Sequence, residues 1–238
     1  MVIRNTAGLV LVRRTIRGIG LDLEGTTVDL EDKHFKAFAD ATTALGYPLT
    51  PTQILALPYA IGGGDQRVSE SIEQLSEGQL SATELRKLKS ERFDELIETD
   101  SMKPRVGFLR VFHELSLRGL PVAIGSLTSR KQARLILERS GLDSLIDYER
   151  VVLLEDVANK KPAPDVFIET ARRMGIDPSE QLVFEDSRTG VEAGVSAGSQ
   201  TVALPIYRTP ANIETLLTAG ASHVYDGWDD IDLSELLD

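Results

Sequence analysis

Two carboxylates, Asp22 and Glu24, follow an apolar segment and directly precede Gly25, Thr26 and Thr27. Carboxylates can attack phosphorus and form an acyl phosphate, a reaction that needs a divalent cation and a nearby proton carrier. Two residues apart on a strand, the two side chains leave the backbone on the same side and can address one substrate. Asp22 is therefore a candidate nucleophile, although a strand that ends in solvated acids explains these residues equally well.

The segment that leads to Asp22 has the pattern of a β-strand. Apolar residues at positions 19, 21 and 23 alternate with Gly20 and Asp22, and Gly25 then allows the backbone to turn sharply. Ligands bind beyond the carboxyl ends of the strands in an open α/β sheet. We therefore expect Asp22 to face a cleft at the edge of a sheet.

Strands and helices alternate along the chain after residue 104. Strands are predicted at 122–124, 151–154, 182–184, 201–204 and 222–225, with helices at 107–118, 130–139, 164–174, 190–197 and 210–219. This order is typical of a parallel sheet with helices on both faces. The sequence therefore predicts an α/β fold.

Residues 33–103 show only helical patterns, which predicts an all-helical insert between the first strand and the next. Ser81 and Glu84 have the spacing of a capping box at the start of one helix. The run Gly62-Gly63-Gly64 indicates either a flexible linker or a close approach of the backbone to a ligand. The apolar face predicted for the helix after Ser81 consists of Leu85, Leu88, Leu96 and Ile97.

The composition limits the possible partners and compartments. The chain has 238 residues, a formal net charge of −11 and no cysteine. The negative charge disfavours nucleic acid and anionic membrane surfaces as partners, and the lack of cysteine fits a cytoplasmic protein. Arginines flank a short apolar run at residues 8–12, which is too short for a signal-peptide core, so we expect an extra strand or a frayed extension there.

The ends of the predicted strands carry the groups that phosphoryl transfer needs. Asp22 could supply the attacking oxygen, and Ser126 could donate a hydrogen bond to the phosphoryl group. Lys161 could place a positive charge on that group, and Asp186 could provide an oxygen ligand for Mg²⁺. Because these residues follow different strands of one sheet, their coincidence supports a phosphoryl-transfer site.

Four motifs in this order resemble those of the haloacid dehalogenase-like hydrolase superfamily, and within it the β-phosphoglucomutase-like group. The resemblance extends over residues 16–227. The motifs are Asp22-Leu23-Glu24-Gly25-Thr26, Ala123-Ile124-Gly125-Ser126, Lys160-Lys161-Pro162-Ala163-Pro164-Asp165, and Phe184-Glu185-Asp186-Ser187-Arg188-Thr189-Gly190.

The resemblance implies a Rossmann-like core of residues 16–32 and 104–238, a helical cap of residues 33–103 that closes over the substrate, and an N-terminal extension of residues 1–15. It also implies that Asp22 is both the nucleophile and a Mg²⁺ ligand. Ser126 and Lys161 would hold the phosphoryl group, and Glu185 with Asp186 would complete the metal site.

Five further residues are candidates for substrate binding. His34 matches a His-Phe pair at the start of the cap in sugar-phosphate mutases, although an ordinary polar residue in the first turn of a helix explains it equally well. The others are Gly25 and Thr26 of the first motif, Arg67 of the cap loop and Thr128 after the second core strand.

Glu24 departs from the family pattern, which has an Asp that acts as general acid and base. Enolase-phosphatase relatives resemble this sequence in having Asp-x-Glu-Gly-Thr, so Glu is compatible with the chemistry. The resemblance further implies that the backbone carbonyl of Glu24 is a metal ligand. That ligand does not depend on the side chain.

We expect a Mg²⁺-dependent phosphatase that acts on a small phosphorylated metabolite, such as a sugar phosphate, through an aspartyl phosphate. One alternative is a sugar phosphomutase, which the lack of a Lys-Gly pair in the loop at residues 62–67 disfavours. Another is a binding or regulatory protein on the same fold, with Glu24 as the lesion. The expected partner is a small phosphorylated substrate without nucleic acid or membrane, and the expected assembly is a monomer or homodimer.

Overall fold

The computed structural model describes residues 2–4, 10–12, 15–62 and 64–237. Near the amino terminus, β1 (Val2–Arg4) and β2 (Val10–Val12) form a two-stranded antiparallel sheet, with Val2 opposite Val12. This hairpin agrees with an extra strand in the predicted extension. The other residues of that extension before residue 15 lie outside the described part of the chain.

A six-stranded sheet with the order β5-β4-β3-β6-β7-β8 forms the centre of the protein, and every neighbouring pair is parallel. The first strand of this sheet in chain order, β3, therefore lies between the two halves of the sheet. The chain builds one half outward from β3 and then crosses to build the other, which is the arrangement that creates a ligand site at the strand ends. The strands are β3 (Gly18–Leu21), β4 (Val122–Gly125), β5 (Val151–Val152), β6 (Gln181–Glu185), β7 (Gln200–Ala203) and β8 (His223–Val224).

Helices cover both faces of this sheet. Consecutive residues of a strand point to opposite faces, and in β6 Leu182 and Phe184 join one apolar cluster while Val183 joins another. The predicted α/β fold is therefore confirmed, with most boundaries shifted by one or two residues. The helices after residue 104 are α5 (Phe108–Leu117), α6 (Arg130–Ser140), α7 (Asp165–Met174), α8 (Arg188–Ser196), α9 (Pro210–Thr218) and α10 (Leu233–Leu237).

Four helices fill most of the predicted cap, and they share an apolar cluster of their own that includes Phe38, Ile54, Ile72 and Leu85. The two chain segments that join the cap to the core run side by side, with Val28 bridged to Pro104. No helix in the described ranges combines the length and apolar character needed to cross a membrane. The cap helices are α1 (Glu31–Ala44), α2 (Pro51–Leu55), α3 (Gly64–Leu75) and α4 (Ala82–Thr99).

The capping box predicted for α4 is wrong, whereas its predicted apolar face does pack inward, with Leu88 and Leu96 partly buried beside the buried Leu85 and Ile97. Ser81 is the N-cap residue, but its side chain makes no capping hydrogen bond, and the Ala82 amide donates to Glu73 Oε1 at 3.1 Å instead. A neighbouring helix thus provides an acceptor for one free amide of the first turn, although a capping box would have bonded the amides of Ser81 and Glu84. The buried residues of α4 are Leu85, Lys89, Phe93 and Ile97.

These buried residues are spaced by four, so the inner stripe of α4 contains one lysine. Leu85 belongs to the apolar cluster of the cap, whereas Phe93 and Ile97 belong to that of the core. Helix α4 therefore packs against both parts of the protein, and its middle turn faces the space between them.

Candidate active site

A cavity of about 770 Å³ lies at the carboxyl ends of the strands, between the sheet and the cap helices. Residues that follow β3, β4 and β6 form its floor, and residues of α1, α3 and α4 form its roof. Eight of the eleven residues predicted for the site line this cavity. They are Asp22, Glu24, His34, Ser126, Thr128, Lys161, Glu185 and Asp186.

The loop after β3 holds Asp22 in place through its own backbone. Gly25 has φ of +82°, and a Cβ at this position would overlap the Asp186 carboxylate. Only glycine satisfies both conditions, because other residues rarely adopt this backbone conformation and all carry a Cβ. Thr27 Oγ1 donates to the Asp22 carbonyl at 2.6 Å, and the turn brings the acids after β3 and β6 together.

Lys161 lies between two acidic side chains. Its Nζ donates to Asp22 Oδ1 and to Glu185 Oε1, each at 2.6 Å, and to the Gly125 carbonyl at 3.0 Å. The Lys161 side chain is only 6% exposed. Burial alone would lower the pKa of Lys161, but the two carboxylates raise it above its usual value, so the ammonium group stays charged.

One lysine cannot neutralise the three carboxylates around it. Burial, aided by the charge of Glu185 and against that of Lys161, raises the pKa of Asp22 to about 7. Burial and the charges of Glu185 and Asp22 also raise the pKa of Asp186 well above its usual value. An additional cation at this place would remove the repulsion between these acids.

The donor set fits a Mg²⁺ ion. Carboxylate oxygens of Asp22, Glu185 and Asp186 lie within 4.8 Å of one another, and hard oxygen ligands are those that Mg²⁺ prefers. Within residues 15–62 and 64–237, no hydrogen bond reaches the Glu24 carbonyl, whereas the Leu23 carbonyl accepts from the Thr27 and Val28 amides. These three side chains and the Glu24 carbonyl are therefore the groups that could hold the metal.

Glu185 is more tightly bound by the protein than the other two acids. Besides Lys161, its carboxylate accepts hydrogen bonds from the Asp186 and Ser187 amides and from Ser187 Oγ, each at 3.0 Å. A Cβ at Gly190 would overlap this carboxylate, so helix α8 can approach Glu185 only because residue 190 is glycine. Among the described residues, only Thr26 Oγ1 donates a hydrogen bond to the Asp186 carboxylate, at 3.3 Å. Asp186 is therefore less constrained by the protein than Glu185.

Ser126, Thr128 and Glu24 form a second group on the floor of the cavity. Ser126 Oγ and Thr128 Oγ1 are 2.8 Å apart, and Thr128 Oγ1 donates a short hydrogen bond to Glu24 Oε1. Both hydroxyls come from the loop after β4 and are buried. Thr128 therefore orients the Glu24 carboxylate from the core side.

His34 and Lys89 hold Glu24 from the cap side. His34 Nε2 lies 2.9 Å from Glu24 Oε2, while Lys89 Nζ lies 2.7 Å from His34 Nδ1 and 2.6 Å from Asp65 Oδ2. Because the Lys89 ammonium can only donate, Nδ1 of His34 accepts and Nε2 carries the proton that is donated to Glu24. Phe93 stacks on the imidazole, with ring centroids 4.2 Å apart.

This hydrogen-bonded chain favours the ionised form of Glu24. Burial acts to raise the pKa of Glu24, but the hydrogen bonds from His34 and Thr128 and the charge of Lys89 lower it below its usual value. The carboxylate is therefore ionised and fixed in direction at neutral pH. Such a group is suited to accept a proton inside the cavity.

The structure does not bring three of the predicted residues to the cavity. Arg67 lies on the exposed side of α3, with its guanidinium 5.2 Å from the centre of the Tyr59 ring, because successive helical residues point about 100° apart and Asp65 takes the inward position. Gly25 and Thr26 lie behind Asp186, where Thr26 is fully buried. Direct contact of these three with substrate stays a prediction.

Sequence reasoning missed Lys89 and Asp65, the cap residues that complete the chain to Glu24. A signal for Lys89 was present, since a lysine replaces an apolar residue at one of four positions spaced by four in α4. Lys89 is 1% exposed, which for a lysine indicates a specific set of partners. No comparable signal marked Asp65, whose role depends on the fold.

Comparison with known proteins agrees with this geometry. The family model for haloacid dehalogenase-like hydrolases matches residues 19–204. The fructose-1-phosphate phosphatase YqaB of Escherichia coli (strain K12) is 30% identical over 187 residues, which cover 78% of this chain and 94% of the relative. Protein CbbY of Rhodobacter capsulatus is 27% identical over 194 residues, which cover 80% of this chain and 86% of the relative.

Solved structures share the whole architecture, cap included. A Thermotoga maritima protein provisionally named β-phosphoglucomutase superposes with a TM-score of 0.73 at 22% identity, covering 93% of this chain and 100% of that one. The chain belongs to the haloacid dehalogenase-like hydrolase family, as its motifs predicted. The family and the phosphatase names among the relatives also confirm the predicted enzyme class, a phosphoric monoester hydrolase.

Proposed function

We propose that this protein is a Mg²⁺-dependent phosphatase that hydrolyses a small sugar phosphate through an aspartyl phosphate on Asp22. The observation that carries the proposal is the pairing of a buried nucleophile with a buried cation, Asp22 Oδ1 to Lys161 Nζ at 2.6 Å, on the floor of a cavity of about 770 Å³. The name of the fructose-1-phosphate phosphatase relative supports a sugar phosphate as substrate.

In the first step, an oxygen of the Asp22 carboxylate forms a bond to phosphorus while the bond from phosphorus to the sugar oxygen breaks. Lys161 balances the charge of the phosphoryl oxygens, and Ser126 donates a hydrogen bond to one of them. Glu24 in its protonated form gives its proton to the departing sugar oxygen. The products are the sugar and a phosphorylated Asp22.

In the second step, a water molecule attacks phosphorus and the bond between phosphorus and the Asp22 oxygen breaks. Glu24, now a carboxylate, takes a proton from that water. Inorganic phosphate leaves, and Asp22 is restored. The sum is hydrolysis of a phosphate monoester, with Glu24 exchanging one proton in each direction.

The surroundings of Glu24 allow its carboxyl group to serve in both roles. In the substrate-free site, His34 and Thr128 favour its carboxylate, and the arriving phosphoryl group adds negative charge that raises its pKa and promotes protonation. Held by Asp22, Asp186, the Glu24 carbonyl and the Glu185 carboxylate, Mg²⁺ would neutralise charge on the phosphoryl oxygens.

The cap loop favours hydrolysis over the phosphomutase alternative. Gly64, Asp65 and Gln66 face the cavity from the first turn of α3, which follows this loop, and Asp65 is paired with Lys89. Arg67, the one basic residue of residues 62–67, points away. The loop therefore offers no cation to hold the sugar phosphate in the second orientation that a mutase requires.

A panel of sugar phosphates with Mg²⁺ tests the proposal. We expect release of inorganic phosphate from at least one sugar phosphate by the wild-type protein and none by Asp22→Asn. Formation of a sugar-phosphate isomer without net phosphate release would instead establish the mutase. Neither product with any member of the panel would favour the binding or regulatory protein.

A further inference from the structure

The carboxyl-terminal segment reaches the loop that carries the nucleophile. Trp228 is fully buried, and its indole Nε1 donates a hydrogen bond to the Thr26 carbonyl at 2.9 Å. Its ring packs against Phe108 and Phe184, with centroid distances of 5.2 and 4.9 Å. Phe184 directly precedes Glu185, so Trp228 contacts both segments that supply acids to the cavity.

Arg105 binds the same loop and lies on the second of the two chain segments that join the cap to the core. Its Nη1 donates to the Gly25 carbonyl and to the Leu204 carbonyl, each at 2.6 Å, and its amide donates to the Thr27 carbonyl at 2.8 Å. Together, Arg105 and Trp228 bind three consecutive carbonyls, those of Gly25, Thr26 and Thr27. A buried carbonyl that loses its hydrogen-bond donor destabilises the folded protein, so Arg105 and Trp228 limit how this loop can move.

Trp228 is itself held from behind. Arg110 Nη2 donates to the Trp228 carbonyl at 2.8 Å and to the Ile231 carbonyl at 3.3 Å. These hydrogen bonds fix the turn that carries Trp228, and so they fix the direction of the indole N–H toward Thr26. Trp228 does not line the cavity, so it cannot contact a substrate there.

We propose that Trp228 is a positioning residue for the active site, acting through the Thr26 backbone on Asp22 and Asp186. Thr26 connects Trp228 to Asp186, because its carbonyl accepts from Trp228 and its Oγ1 donates to Asp186 Oδ1 at 3.3 Å. Along the chain, Glu24 lies between Asp22 and the three residues whose carbonyls Arg105 and Trp228 bind. Removing one donor should therefore loosen the set of metal-binding oxygens without opening the cavity. The part that concerns catalysis rests on the proposed function.

Trp228→Phe removes the N–H while keeping an aromatic ring against Phe108 and Phe184. The matched control is Leu142→Val, which shortens a buried side chain of the same apolar cluster without removing a hydrogen bond. Arg105→Met is a second test variant, since its thioether side chain keeps similar length but donates neither of the two hydrogen bonds made by Nη1. It replaces Trp228→Phe if that variant does not fold.

The primary readout is hydrogen exchange of the Thr27 and Val28 amides in the metal-free protein, which needs no activity. Both amides donate to the Leu23 carbonyl, at 3.1 and 3.0 Å. We expect their exchange to be about tenfold faster in Trp228→Phe than in wild type, with Mn²⁺ binding weakened about tenfold in an electron paramagnetic resonance titration. With a sugar phosphate that the wild-type protein hydrolyses, kcat of Trp228→Phe should fall while its KM changes by less than about twofold.

Unchanged exchange and unchanged Mn²⁺ affinity in Trp228→Phe would overturn the proposal. Equal changes in Leu142→Val at the same loss of Tm would also overturn it, because they would reflect general destabilisation. If the wild-type protein hydrolyses no sugar phosphate but the exchange and Mn²⁺ results are as expected, the proposed function fails and the positioning role stands.

Discussion

His34 of the first cap helix and Glu24 of the loop after β3 are hydrogen bonded, with Nε2 and Oε2 2.9 Å apart. The other ring nitrogen of His34 is taken by Lys89, at 2.7 Å. In this arrangement the imidazole orients the proposed acid and base. On the proposed function, the cap acts on the chemistry through Glu24, and contact between His34 and the substrate stays a prediction.

His34→Ala should lower kcat by about tenfold to a hundredfold, because Glu24 loses one of the two groups that fix its direction. It should also raise the pKa of Glu24, since burial remains while the hydrogen bond that opposes it is lost. The acidic limb of the pH–rate profile would then move to higher pH. A uniform loss of rate with an unchanged acidic limb of the pH–rate profile would show that His34 does not act on Glu24. The control variant is Lys36→Ala, on the exposed side of α1.

Glu24→Gln should reduce kcat by about 10² to 10⁴-fold with little change in KM, because positioned proton transfer is lost in both steps. Glu24→Asp should reduce kcat by about a hundredfold, since the shorter side chain cannot reach both His34 and Thr128. Steady-state kinetics on one sugar phosphate measures both. Activity equal to or above wild type in Glu24→Asp would mean that the backbone has not adapted to glutamate.

Mg²⁺ should raise Tm more at pH 8 than at pH 5. Burial raises the pKa of Asp22 from 3.8 to about 7, so the folded metal-free protein keeps a proton that the unfolded chain releases in this interval. The metal-free protein therefore loses stability as pH rises between those values, and Mg²⁺ replaces the proton. Scanning calorimetry with Mg²⁺ or with EDTA measures the difference.

Asp186→Ala provides the control for the metal site. We expect it to remove most of the stabilisation by Mg²⁺ and to raise strongly the Mg²⁺ concentration needed for activity, because a hard oxygen ligand is lost. An unchanged Mg²⁺ titration would exclude Asp186 from the site.

Gly190→Ala should destabilise the fold by about 1–3 kcal/mol, because the new Cβ would overlap the fully buried Glu185 carboxylate. Gly227→Ala is a matched control, since a Cβ there meets no atom within 4 Å and the backbone is extended. It should change the free energy of unfolding by less than about 0.5 kcal/mol. Urea unfolding of both variants measures this, and equal stability would mean that helix α8 shifts to accommodate the methyl group.

Much of this site could be predicted from the sequence because its parts follow strands. Asp22, Ser126 and Asp186 come after apolar segments, and the parallel order of those strands brings their ends to one edge of the sheet. The motifs also identified the family correctly. Arg67 was placed less well, because a glycine-rich segment does not reveal which side of the following helix faces the cavity.

Lys89 and Trp228 could not be assigned roles in the same way. Lys89 bonds to His34 across 55 positions of sequence, and Trp228 bonds to Thr26 across 202. Their contacts depend on how the cap and the carboxyl-terminal turn pack on the core. Local patterns predict elements, whereas these side chains act between elements.

The most direct test of the account is to trap the phosphorylated enzyme. Wild-type protein mixed with a turned-over sugar phosphate and Mg²⁺ is quenched in acid and reduced with borohydride, which converts an acyl phosphate of Asp into homoserine. Peptide mass spectrometry should find this conversion at residue 22 in wild-type protein, at higher occupancy in Glu24→Gln if that variant slows hydrolysis of the intermediate more than its formation, and not in Asp22→Asn. Substrate turnover with no modification at Asp22, or with modification at another carboxylate, would contradict the account.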